Sequence, residues 1–130
     1  MIRAGLVLLL AMAVISPVLA GGYEKLSPFT GVRWDGDAPE VEFEGKWYRP
    51  ESIAGKPVSG ILAFAKERWP GKWKKRFAED LVEVLSEMGT PPGRKVDLVL
   101  VEPKSGRRVT RAGVPMTEEN RKRIWRAARG

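Results

Sequence analysis

The chain contains no cysteine and no histidine. Without cysteine there is no disulfide, no thiolate nucleophile and no thiolate zinc site. Without histidine the usual general base, the usual imidazole ligand and the Ser-His-Asp triad all drop out. Asparagine occurs once, at Asn120, and Arg121-Lys122 follows it, so there is no glycosylation sequon. Acids are outnumbered: 16 Asp plus Glu stand against 23 Lys plus Arg, a formal charge of +7. Chemistry is left to carboxylates, lysines, hydroxyls and tyrosines. The length of 130 residues fits one domain.

Long apolar runs are also scarce, with one exception at the N-terminus. Arg3 supplies a short basic region, Leu6 to Ile15 an apolar stretch, and Pro17 a helix breaker. Val18-Leu19-Ala20 places short side chains where a signal peptidase reads. The run is short for a bilayer span of about 20 residues and lacks a basic stop-transfer flank. Residues 1–20 therefore read as a signal peptide and residues 21–130 as one exported domain, periplasmic or secreted. No integral membrane segment is expected after processing, and with no cysteine after the apolar run lipoprotein anchoring is excluded. The processed chain holds itself together by packing alone, with a net charge of +6 once Arg3 is removed.

Along residues 21–130, Gly21 to Phe29 reads as an extended lead-in. Thr30 to Trp34 is strand-like, and Asp35-Gly36-Asp37-Ala38-Pro39 is a turn. Val41 and Phe43 alternate with Glu40, Glu42 and Glu44, which predicts a hairpin reversing at Glu44-Gly45 and returning through Trp47 and Tyr48. Ser59 is the expected N-cap of a first helix that Pro70-Gly71 stops. Trp73, Phe77, Leu81, Val84, Leu85 and Met88 form a stripe of period 3.6, which predicts one helix with Glu79, Asp80, Glu83 and Glu87 on its other side. Gly89 and Pro91-Pro92 end it. Val96 to Val101 is the strongest strand pattern, and Arg107 to Arg111 is its return. Thr117 caps a final helix with Glu118 and Glu119 in its first turn. The fold class is α+β, a small mainly antiparallel sheet of about four or five strands with two or three helices.

Two stretches resemble PDZ domains. Ser52-Ile53-Ala54-Gly55-Lys56-Pro57-Val58 is similar to the PDZ strand and x-Gly-x-Pro-Val turn. The helix Phe77 to Met88 is followed by Pro92 to Val101, which resembles the Gly-x-x-Val-x-Leu-x-Val strand of that family, with Ser105 to Val109 closing a hairpin. The resemblance implies a PDZ-like module of an exported bacterial protein over residues 52–58 and 77–109. The insert Ser59 to Arg76 has no place in an ordinary PDZ domain, and there is no Gly-Leu-Gly-Phe-like carboxylate loop. The resemblance therefore transfers no peptide-binding residue. The chain also resembles small exported modules that sit ahead of hydrolase domains, again with no catalytic motif to carry over.

Asp35, Asp37, Glu40, Glu42 and Glu44 lack the spacing of a calcium loop, and Glu40, Glu42 and Glu44 share one strand face as a solvated edge does. No Ser-x-x-Lys and no Walker glycine loop occurs. No catalytic, cofactor-binding or metal-ligating residue is assigned, and no cofactor is expected. Trp69 and Trp73 lie on apolar helix stripes and read as core. Of the adjacent pair Trp47 and Tyr48, one faces solvent and could stack on a ligand. In the last helix Arg121, Trp125 and Arg129 fall on one stripe, a candidate partner face. The leading reading is an exported non-catalytic binding or protein-interaction module, with Trp47, Tyr48, Arg121, Trp125 and Arg129 as its candidate ligand or partner surface. A polyanion- or anionic-surface-binding protein is the first alternative, and a small carboxylate-dependent hydrolase the second.

The expected mature chain starts at or within two residues of Gly21. Intact-mass measurement on the exported protein checks this. A product that keeps Met1 to Ala20 refutes the signal peptide.

Overall fold

The computed structural model describes residues 22–130. The expected signal peptide and its expected cleavage point lie outside the described residues. Three strands, β1 (Gly31–Asp35), β2 (Ala38–Phe43) and β3 (Lys46–Ile53), run as an antiparallel meander. Then come the two-residue β4 (Lys56–Pro57) and three helices, α1 (Val58–Arg68), α2 (Trp73–Glu79) and α3 (Leu81–Glu87). The chain finishes with β5 (Lys95–Val101), β6 (Arg108–Pro115) and α4 (Glu118–Arg129). The sheet order is β1-β2-β3-β5-β6, with β4 beside β3, and every pairing is antiparallel. This is the expected α+β class, with a sixth short strand and a fourth helix.

Local sequence explains the turns. Glu44 and Gly45 have φ of 51° and 79°, and Ala54 and Gly55 have 54° and 75°, so both are two-residue hairpins of the mirror-image type that matches strand twist. Pro50 has no N–H to give, and the β3–β5 register shifts between Pro50 and Ser52. α1 begins at Val58 behind Pro57, with no side-chain cap, so Ser59 lies inside the helix rather than at its cap. Thr117 does cap α4: its hydroxyl accepts from the Asn120 amide at 3.1 Å.

Alternation puts Val41, Tyr48, Ile53, Leu98, Leu100 and Val109 on the sheet face that meets the helices. Ile61 and Ala65 of α1, Phe77 of α2 and Leu81, Val84 and Leu85 of α3 complete that core. The lead-in is extended as expected and is firmly docked. Leu26 and Phe29 are buried, and Ser27 bridges Thr117 through N–H···O bonds of 3.1 and 3.0 Å.

The predicted single helix from Trp73 to Met88 is corrected by the structure. It breaks at Asp80, whose φ of −128° and ψ of 45° are not helical. The apolar stripe survives the break, since Phe77, Leu81, Val84 and Leu85 stay buried. The acid side does not follow the expectation: Glu79 and Asp80 are only 4% and 3% exposed. The Arg121 Nε of α4 donates to the Glu79 carbonyl at 2.9 Å, a side chain set into the helix ladder at the point where it kinks.

Removing Asp80 should therefore cost more than local sequence suggests. Asp80→Ala is expected to lose about 2–3 kcal/mol, below the full cost of orphaning buried charge because its partner Lys25 is largely exposed and its partner Arg76 keeps Glu83. Leu81→Ala should lose about 2–5 kcal/mol through the cavity it opens. Glu83→Ala, at the helix surface, should stay within about 0.5 kcal/mol. Urea melts of the three variants test this ordering, and an Asp80→Ala as mild as Glu83→Ala refutes it.

Candidate binding surface

The outer face of the sheet carries one of the sequence candidates. Register sets Gly31, Glu42 and Trp47 in a row across β1, β2 and β3. The Trp47 indole reaches over β2 to Gly31, where an added Cβ would lie 3.0 Å from the ring. Glycine at that position is what lets the ring lie down. The Arg33 guanidinium sits 4.1 Å from the Trp47 ring centroid, and its Nε donates to Glu40 at 2.6 Å. Trp47 is thus on the solvent side but capped. Tyr48 is buried in the core, 5% exposed, and also borders the groove beside Trp47.

Beside Trp47 is a groove of about 670 Å³ lined by Glu40, Lys46, Glu102, Lys104 and Ser105. Glu102 accepts from Arg107 Nη2 at 2.8 Å and from the Ser105 hydroxyl at 2.7 Å. These bonds, that of Arg107 foremost, hold its carboxyl down at about 2, below the ordinary 4.5. A group fixed as an anion is not a proton donor near neutrality, which argues against a general acid here.

The acidic residues of the first hairpin do not converge. Arg33 meets Glu40, Thr30 meets Glu42, Lys66 and Lys74 meet Asp37, and Arg111 meets Glu44. Among the described residues no group of three or more acids could hold a metal ion. No helix among them is long and apolar enough to cross a membrane.

The final helix divides its cations between two tasks. Arg121 and Arg129 turn inward. Arg121 reaches the Asp80 carboxylate at 3.5 Å, and Arg129 Nη1 meets both Glu79 oxygens at 3.2 Å. Lys25 at 2.9 Å and Arg76 at 3.5 Å also meet Asp80, and Lys75 meets Glu79 at 3.4 Å. Trp125 stays outside, 40% exposed, with the Arg129 guanidinium 4.3 Å from its ring centroid. Lys122 and Arg126 flank it in a shallow hollow. The stripe Arg121-Trp125-Arg129 is real, but its arginines serve the fold first.

The N-terminus of α2 is a second basic element. Its first turn holds no acid. Lys74 is compensated from across the structure by the Gly36 carbonyl at 2.8 Å and Asp37 at 3.5 Å. Trp73 is half-buried and packs edge-on to Trp34 with centroids 5.5 Å apart, while Trp69 packs on Phe64 at 6.1 Å. Between α2, α4 and β1 lies a cleft of about 520 Å³, bordered by Lys75, Glu79 and Arg129. Sequence reasoning missed this cleft. The spacing of Lys75 and Glu79 by four residues was a readable signal for their ion pair. The approach of Trp34 to α2 had none, because it spans nearly forty residues of chain.

No family model, no curated protein and no solved structure matches this chain.

The Glu102–Arg107 pair gives a measurable pH signature. The folded-state carboxyl lies below its ordinary value, so the pair's contribution is complete above about pH 4.5 and is lost as the pH falls through about 2. An NMR titration of the Glu102 side-chain carbonyl should show a midpoint near 2 in the native protein, and a higher one in Arg107→Ala, where the Ser105 hydroxyl still donates to it. A native midpoint near 4.5 refutes the arrangement.

Proposed function

We propose that residues 21–130 form an exported, non-catalytic binding module that attaches to an anionic surface through α4. The observation that carries this reading is Trp125. Among the described residues it is the one large apolar side chain standing 40% exposed, and Lys122 and Arg126 stand beside it. An indole with an apolar body and a polar edge suits the boundary between water and an apolar phase, and the flanking cations suit negative charge. The basic excess of the whole chain steers it toward such a partner. The PDZ resemblance over residues 52–58 and 77–109 is compatible with a binding module and names no residue of α4.

The test uses vesicles of zwitterionic lipid with and without an anionic component, at low and high salt. The difference in tryptophan emission between the parent protein and Trp125→Phe isolates the Trp125 signal. That signal should shift to the blue with anionic vesicles at low salt and revert at high salt. Lys122→Glu with Arg126→Glu should weaken attachment about tenfold or more. A Trp125 emission that ignores anionic vesicles at low salt overturns the reading.

A further inference from the structure

We infer that the cleft between β1, α2 and α4 binds a single anionic lipid, its phosphate held by Lys75 and Arg129 and the start of its chain laid on the apolar floor. The inference rests on the reading of α4 as the face that meets an anionic surface, and it names the molecule in that surface which the protein recognises.

The floor of the cleft is apolar. Val32 and Trp34 come from β1, Ala78 from α2, and Ile124, Ala127 and Ala128 from α4. At its border two cations converge on one carboxylate. Lys75 Nζ lies 3.4 Å from Glu79, and Arg129 Nη1 lies 3.2 Å from both oxygens of the same group. The side chains of Lys75 and Arg129 are 46% and 38% exposed, whereas that of Glu79 is 4% exposed. The carboxylate is thus nearly buried beneath two partly exposed cations, with one positive charge in excess of what Glu79 neutralises. Arg129 makes its bonds to Glu79 and to the Trp125 carbonyl through Nη1 alone. A guanidinium has five N–H donors in a planar fork, which suits a phosphate with two oxygens side by side.

Glu79 also prepares the site. It holds Lys75 and Arg129 in place beforehand, so less side-chain freedom is lost when an anion arrives. The remaining question is which anion. Inorganic phosphate satisfies the cations and leaves the floor wet. A nucleic acid brings phosphates but no chain to cover the exposed Ala127 and Ala128. A lipid phosphate brings the charge and the methylenes together, each buried methylene contributing about 0.8 kcal/mol. Arg129 links the cleft to the outer face of α4, because its guanidinium also stacks on Trp125 at 4.3 Å. A lipid held there stays at the level where Trp125 meets the surface.

The experiment follows the indole N–H signals of Trp34, inside the cleft, and Trp125, outside it, by NMR. Short-chain phosphatidylglycerol and phosphatidylcholine, both below their micelle concentrations, and inorganic phosphate are titrated separately. Phosphatidylglycerol should shift Trp34 saturably, while phosphatidylcholine and inorganic phosphate leave it nearly unchanged. Lys75→Gln should weaken the phosphatidylglycerol response about fivefold or more. Ala127→Phe, which fills the floor from an exposed position, should abolish it. A Trp34 signal blind to phosphatidylglycerol, or one equally sensitive to inorganic phosphate, overturns the cleft. If vesicle attachment persists in that case, the α4 reading stands without it. If Trp34 responds but the native protein ignores anionic vesicles, the α4 reading falls and the cleft remains.

Discussion

The arrangement of the helices depends on two carboxylates almost withdrawn from water. Glu79 and Asp80 are buried at the break between α2 and α3. An isolated buried carboxylate is too costly to keep ionised, so its partners must be supplied by the fold. Here they come from three directions: Lys25 from the lead-in, Lys75 and Arg76 from α2, and Arg121 and Arg129 from α4. These pairs add little net stability compared with apolar packing of the same volume. What they fix is geometry. Only one rotation of α4 sets Arg121 and Arg129 on the acids while Ile124 enters the core.

That rotation determines what α4 shows to the outside. With Ile124 inward and the two arginines bent toward the acids, Trp125, Lys122 and Arg126 are left on the outer side. The same geometry opens the cleft against β1, because the small side chains of Ala127 and Ala128 face Val32 and Trp34 without filling the space. Structural electrostatics and surface chemistry are therefore one arrangement. The outer sheet face shows the same economy on a smaller scale, with Trp47 laid over Gly31 and capped by Arg33, and Arg33 in turn held by Glu40.

Much of this was legible in the residues. Period two in Val41–Phe43 and Val96–Leu100 located the strands of the core, and Glu44-Gly45 located a hairpin. Thr117 with Glu118 and Glu119 marked the start of α4. The stripe through Phe77, Leu81, Val84 and Leu85 gave the correct inward phase. What failed was the complement of that stripe. Period 3.6 says which side is apolar, and it carries the assumption that the other side meets water. Glu79 and Asp80 break the assumption because cations more than forty residues away cover them. Long-range ion pairing leaves no local spacing to read. Ser59 failed for a nearer reason, since Pro57 fixes the backbone early enough to start α1 before the serine.

The lack of cysteine gives the ionic cluster a further consequence. A domain of this size without disulfides must still tie its outlying segments to its core. The lead-in does so by burying Leu26 and Phe29, by the Ser27–Thr117 bridge, and by Lys25 on Asp80. The C-terminal helix does so by Ile124 and by Arg129 on Glu79. Both segments therefore close on neighbouring acids of the same helix break. A disulfide would join the segments covalently and leave α4 free of that task. Ion pairs join them through arginines whose stems and guanidinium faces remain partly outside. Arg129 meets the buried Glu79 and the exposed Trp125 with one guanidinium, so the device that closes the fold is also part of the surface the protein presents.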